Sequence, residues 1–257
     1  MRLLPAILAA GLSGLVPQAH AAPCVKHSPA HSVALIELYT SEGCNSCPPA
    51  DRWLSELVRE APGADGFVAL SLHVDYWDRL GWKDRFGSPR FTQRQYELAR
   101  LSGGKTPVYT PGVFVNLAEF RRGHLQDLLR AINTHPAGAD IRIELGAPAP
   151  AQLAVSSEFR IRPGVPPKRP QAFVALYEDG LSTEVRAGEN HGVTLHHDRV
   201  VRAWFGPIEI AGGATFSKVL ALAPDWKPGR LGVAAFVEDR AKREVLQATA
   251  LANCAAR

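Results

Sequence analysis

The chain has 257 residues, 46% of them hydrophobic and 21% charged, values that exclude wholesale disorder and a multi-span membrane protein. Its formal net charge of +4 at pH 7 is spread over Lys and Arg scattered among acids. With no basic stripe interleaved with aromatics, nucleic acid is excluded as the expected partner. The length exceeds the usual size of one globular domain, so two domains are expected.

Residues 1–21 read as an export signal. Arg2 supplies the positive end, an apolar stretch runs from Leu3 to Val16, and Ala19-His20-Ala21 offers small residues before a cut at Ala22. The stretch is interrupted by Gly11, Ser13 and Gly14 and is shorter than the roughly 20 residues of a spanning helix, which sets it apart from an uncleaved anchor. Pro23, beside Cys24, does not suit a lipoprotein signal. The mature protein is therefore expected to be periplasmic or secreted, with no membrane anchor after cleavage.

From His31 to about Asn133, strand and helix alternate. Val33 to Tyr39 is a short apolar run ended by Thr40-Ser41-Glu42-Gly43, and it predicts a buried strand. After Pro48-Pro49, Trp53, Leu54, Leu57 and Val58 recur at helical spacing until Ala61-Pro62-Gly63. Phe67 to Val74 predicts the next strand. Ser88-Pro89 is a cap followed by a first-turn proline, with Phe91, Leu98 and Leu101 on an apolar side that ends at Gly103-Gly104. Val113-Phe114-Val115 is strand-like, and Leu125, Leu128, Leu129 and Ile132 predict a third helix.

Past residues 133–138 the rhythm changes. Residues 141–145, 152–155, 173–178, 200–205, 231–238 and 245–251 are strand-length segments separated by Gly, Pro and Asp-rich turns. Pro163 to Pro170 reads as an exposed turn. The expected organisation is an α/β domain over residues 22–138 followed by an all-β, sandwich-like domain over 139–257.

Four cysteines in an exported chain invite pairing. Cys24 lies near the mature start and Cys254 near the end, which suggests a structural disulfide. Its loop of more than 200 residues is credited by the chain-entropy relation with about 5 kcal/mol. Cys44 and Cys47 form a C-x-x-C pair at a strand-to-helix junction, the place for exchange chemistry. All four sulfurs binding zinc is the alternative, although only one pair has ligand spacing. An exposed Cys44 is expected to attack, and a more buried Cys47 to resolve. The helix start favours thiolate, yet Pro48 and Pro49 have no N–H to give, and Asn45 and Ser46 are neutral.

The run from Val33 to Cys47 resembles the first core strand and redox turn of the thioredoxin superfamily, and Tyr109 to Asn116 resembles its cis-proline turn. The resemblance implies a thioredoxin-like fold for the first domain and a cis Thr110–Pro111 bond, with Thr106–Pro107 as the competing site. It also implies that Pro111 lies against the cysteines and that Thr110 backbone groups face a bound peptide. More narrowly, Tyr39 to Asp51, His73 to Asp84 and Gly188 to Gly192 are similar to a bacterial family of exported thioredoxin-like proteins of unknown function. That similarity spans nearly the whole mature chain. Two departures from the common thioredoxin pattern are the missing Trp before Cys44 and the Pro directly after Cys47.

Asp75, Tyr76, Trp77 and Trp82 follow the second strand, where ligands collect in open α/β sheets. Tyr76 and Trp77 are expected to line a substrate groove with Thr110, or alternatively to form a packed aromatic plug. His191, His196 and His197 read as solvated or hydrogen-bonded loop residues, so no metal is expected. No hydrolase triad or phosphate loop is present. The expected function is an exported thiol–disulfide oxidoreductase acting on protein or small-thiol substrates, with Cys44, Cys47 and Pro111 at the redox-active centre. Its partners would be exported thiol or disulfide proteins, or a membrane redox protein, and it would need no cofactor beyond its cysteines. The alternatives are a copper(I)-binding protein using the same pair and a binding module with purely structural disulfides.

Overall fold

The computed structural model describes residues 24–60, 65–103, 108–121, 123–147, 149–164 and 167–254. The expected export signal, the Ala61-Pro62-Gly63 stop and Thr106–Pro107 lie outside the described residues. In chain order the elements are β1 (Cys24–His27), β2 (Ala34–Thr40), α1 (Pro48–Glu60), β3 (Phe67–His73), α2 (Pro89–Leu101), β4 (Gly112–Val115), β5 (Ala118–Glu119) and α3 (Leu125–Asn133). There follow β6 (Ala139–Gly146), β7 (Gln152–Ile161), β8 (Pro170–Glu178), β9 (Leu181–Glu184), β10 (Thr194–His197), β11 (Val200–Glu209), β12 (Gly213–Ala221), β13 (Leu231–Asp239) and β14 (Glu244–Ala252).

These strands form an eight-stranded sheet in the order β14-β13-β8-β11-β3-β2-β4-β5, a four-stranded sheet β1-β6-β7-β12, and the hairpin β9-β10. This overturns the expected thioredoxin-like α/β domain followed by a sandwich. Strands from before and after residue 138 share one continuous sheet, and strand outweighs helix along the chain. The junction is a parallel contact at Val200 and Ser71, reinforced by the Ser71 N–H donating to Arg199 O at 2.8 Å. Sequence pattern cannot distinguish the two arrangements: β8 and β13 are apolar runs buried on both faces, and such runs suit a sandwich core and the middle of a large sheet equally well.

Alternation of side chains along each strand divides the core. On β2, Leu35 joins a cluster with Leu70, Phe91, Leu98 and Phe236, while its neighbour Ile36 faces Leu54, Leu57 and Leu129 of α1 and α3. Toward the other end, Val233, Ala235 and Val237 of β13 pack against Ile141, Ile143, Val155 and Phe159 of the four-stranded layer. A buried charge cluster locks the two halves of the chain together. Arg94 on α2 donates to Glu37 on β2 at 2.5 Å and to Glu238 on β13 at 2.9 Å, with its guanidinium 5.0 Å from the ring of Phe173. Buried charge is tolerable there because each partner compensates the other.

Candidate redox site

One end of the eight-stranded sheet gathers three segments. Thr40 at the end of β2 pairs with His73 at the end of β3, and Tyr39 pairs with Gly112 at the start of β4. The loop after β2 (Ser41 to Cys47), the loop after β3 (Val74 to Ser88) and the Thr110–Pro111 turn therefore meet at that end. Cys44 and Cys47 are disulfide-bonded. The Cys47 N–H donates to Cys44 O at 3.2 Å, and regular helical bonding starts with Ala50 and Asp51 donating to Cys47 O at 2.9 and 3.1 Å. Pro48 and Pro49 occupy the first turn, where no N–H is needed. Ser46 Oγ lies 3.3 Å from Cys44 Sγ.

The expected contrast between an exposed Cys44 and a more buried Cys47 is not found: both are 0% exposed, although Asn45 and Ser46 between them are exposed. The cysteine loop is held from the far half of the chain. The loop joining β9 to β10 places the Asn190 amide within 2.9 Å of Glu42 O and 3.0 Å of Cys44 O, donating to both. Beside it, the Asn45 N–H donates to Glu189 Oε2 at 3.1 Å. The Cys44–Asn45 peptide is thus held at its carbonyl and its N–H by consecutive residues some 145 positions away. Gly188, at φ +73°, fits because a Cβ there would lie 3.0 Å from Trp82 Cβ.

The Thr110–Pro111 peptide is cis. Trp77 connects this turn to the cysteine loop: its indole N–H donates to Thr110 Oγ1 at 2.8 Å, and its Cβ would be 3.1 Å from a Cβ on Gly43. Thr110 is buried. Tyr76 is half-buried, donates to Gln95 Oε1 at 3.3 Å, and has its phenol pushed up to about 12 by burial. Tyr76, Trp77, Thr110 and Pro111 therefore stand in one neighbourhood with Gly43. Cys24 and Cys254 stand apart from it, bonded to each other where β1 begins and just past the end of β14.

Behind the cysteine loop lies a buried polar cluster whose roles the sequence reading missed. His73 and Asp84 form a bonded pair, Nδ1 to Oδ2 at 2.7 Å, and the same carboxylate accepts the Glu42 and Phe86 N–H groups at 2.9 Å each. Burial, the largest influence, opposes charge on His73, but the Asp84 carboxylate together with Asp51 and Glu42 outweighs it and raises the imidazole above its usual value. Burial likewise works against the Asp84 carboxylate, and His73 with the two N–H donors holds it low. Glu42 accepts the Trp82 indole N–H on Oε2 at 2.9 Å. His197, one of the two inward residues of β10, has Nε2 at 3.5 Å from Glu42 Oε1 and Nδ1 at 3.8 Å from Asp51 Oδ2. Among the described residues no three His, Cys, Asp or Glu side chains are arranged to hold a metal ion. Two signals in the sequence point to the cluster: Asp51 falls on the apolar side of α1, three residues before Leu54, and His73 ends an otherwise apolar strand.

Among the described residues no helix is long and apolar enough to cross a membrane. No curated protein matches the sequence. Several solved structures are similar. A crystal structure of an Agrobacterium tumefaciens protein is 22% identical at a TM-score of 0.58, covering 87% of this chain and 96% of that one. HBP35 of Porphyromonas gingivalis is 14% identical at a TM-score of 0.62, covering 88% of this chain and 76% of that one. At these identities the likeness is one of fold. The family described as "Protein of unknown function (DUF1223)" matches residues 35–238, most of the chain, and this protein belongs to that family.

Proposed function

We propose that the protein is an exported thiol–disulfide oxidoreductase whose working group is the Cys44–Cys47 disulfide. The observation that carries this reading is the bond itself, placed in a four-residue turn between a buried strand and a helix start. Such a turn forms a small disulfide ring that an attacking thiolate opens, and the helix start favours the thiolate that results. Locally the strand, the C-x-x-C turn and the Thr110–Pro111 turn resemble those of the thioredoxin superfamily, which supports the same chemistry. The signal-like segment at residues 1–21 supports a periplasmic or secreted location, where disulfides persist.

With both sulfurs buried, exposure does not choose the attacking cysteine. The Ser46 hydroxyl, 3.3 Å from Cys44 Sγ, supports Cys44, because it can donate to a thiolate on that atom. Cys44 is therefore the sulfur that meets the partner, and Cys47 resolves. Exchange requires Cys44 to be uncovered, as release of the Glu189 and Asn190 bonds to the cysteine loop would allow, with Tyr76, Trp77 and Thr110 near Gly43 to meet an exported thiol or disulfide protein. The pair needs no cofactor.

The test is trapping in cells. Cys47→Ser should accumulate mixed disulfides with exported partners on non-reducing gels, and Cys44→Ser should accumulate few. Equal trapping by the two would overturn the assignment of Cys44. No trapping by either, together with no exchange with glutathione in vitro, would overturn the redox reading.

A further inference from the structure

Resting on that reading, we propose that Glu42, His197 and Asp51 form a proton relay serving the Cys44–Cys47 pair, so that the β9-β10 hairpin is part of the exchange machinery. Glu42 lies two residues before Cys44. Asp51 lies in the first turn of α1, four residues beyond Cys47, and its N–H donates to Cys47 O at 3.1 Å. The His197 ring stands between these two carboxylates, one nitrogen toward each, at 3.5 and 3.8 Å. The three side chains thus link a residue just before the cysteine pair to one just after it.

All three are buried, Glu42 at 0%, His197 at 2% and Asp51 at 5% exposed. Glu42 Oε1, both Asp51 oxygens and both His197 nitrogens have no protein hydrogen-bond partner. Buried polar atoms left unpaired are costly and uncommon. The neighbouring Asp84 carboxylate is by contrast fully engaged, by His73 and two backbone N–H groups, although His73 Nε2 is unpaired as well. The two nitrogens of His197 face different carboxylates, an arrangement that suits passing a proton through the ring and does not suit gathering a metal.

Opening the disulfide needs one proton at the leaving sulfur. The thiolate of an incoming thiol attacks Cys44 Sγ, the new sulfur–sulfur bond forms as the Cys44–Cys47 bond breaks, and the electron pair leaves on Cys47 Sγ. The Asp51 carboxyl gives that sulfur its proton. The proton released when the incoming thiol ionised returns to Asp51 through Glu42 and His197. The groups facing Asp51 are His197 from β10, His73 from β3, the Thr40 hydroxyl from β2 and Asp84 from the loop before α2. Burial raises the Asp51 carboxyl above the usual range, which keeps a proton available until Cys47 departs.

The experiment is reduction of the intact protein by dithiothreitol, with quenched mass mapping of each disulfide over a range of pH, for wild type, Asp51→Asn and His197→Gln. Compared at equal thiolate concentration, Asp51→Asn should open Cys44–Cys47 about 100-fold more slowly and His197→Gln about tenfold more slowly. Both should flatten the pH profile, with reduction of Cys24–Cys254 unchanged. Should Asp51→Asn fail to fold, Glu42→Gln takes its place and should flatten the profile in the same way. Wild-type rates in the variants, or slower rates with a wild-type pH profile, would overturn the relay. A wild-type Cys44–Cys47 bond that opens no faster than Cys24–Cys254 would instead overturn the redox reading itself.

Discussion

Cys24 and Cys254 are 230 residues apart in the chain, and their bond ties the first strand of the four-stranded layer to the end of β14, the edge of the eight-stranded layer. Cys44 and Cys47 are three residues apart, and their bond ties nothing that the backbone does not already hold together. Around the first pair there are apolar neighbours and the Cys254 N–H, which lies 3.3 Å from Cys24 Sγ. Around the second there are a serine hydroxyl, a tryptophan, a clamping loop and a cluster of buried acids and histidines. On the proposed reading the long bond restricts the unfolded chain and the short one reacts. Chemistry is thus assigned by surroundings, since the bond type is identical.

The largest effect should come from removing each bond in turn. The chain-entropy relation gives about 5 kcal/mol for the long loop and about 2 kcal/mol for the short one. Cys24→Ser with Cys254→Ser should accordingly lower stability in urea much more than Cys44→Ser with Cys47→Ser, while only the second pair of changes abolishes exchange with glutathione. A larger stability loss from the short bond would break the comparison.

Next is Asp84→Ala, which takes the carboxylate from His73 and from two backbone N–H groups at the base of the cysteine loop. Stripping one partner from a buried ion pair costs about 3–5 kcal/mol. Because the Glu42 N–H loses its anchor, reduction of Cys44–Cys47 should also quicken, with Cys24–Cys254 unaffected. Urea denaturation and disulfide mapping check both halves. Uniform acceleration at the two bonds would mean general loosening and no special link to the cysteine loop.

Asn190→Ala should cost about 1–3 kcal/mol, the penalty for lost buried hydrogen bonds, and should admit a bulky reductant to Cys44 faster. An unchanged rate would show that the loop is no barrier.

The smallest effect is a pH dependence of stability. Asp84 sits below its unfolded value, so its contribution is present above about pH 4 and fades as pH falls through its folded value. His73 sits above its unfolded value, so its contribution is complete below about pH 6.5 and fades as pH rises through its folded value. The pair should therefore stabilise most between those limits. Asp84→Ala should remove that feature from a plot of urea midpoint against pH.

The cysteine turn was legible in the sequence because a short apolar run, a C-x-x-C and an amphipathic helix follow one another directly. The Ser88 cap was equally plain, and its hydroxyl accepts the Arg90 N–H at 3.3 Å. The single sheet was not legible. Val200 meets Ser71 across 129 positions, and the apolar runs of β8 and β13 carry no mark of which strands they will join. The short polar strands β9 and β10 were missed, since Leu181 to Glu184 and Thr194 to His197 offer too few apolar residues to define a period. With them went the clamp on the cysteine loop and the position of His197, because both depend on a hairpin that pattern alone does not reveal.

The measurement that bears most directly on the division of labour between the two disulfides is a redox titration of the protein with each bond followed by mass mapping. Cys44–Cys47 should have a potential within the range of known oxidoreductases, about −120 to −270 mV, while Cys24–Cys254 should resist reduction to below about −300 mV. Co-reduction of the two bonds, or a Cys44–Cys47 bond more resistant than Cys24–Cys254, would contradict the account.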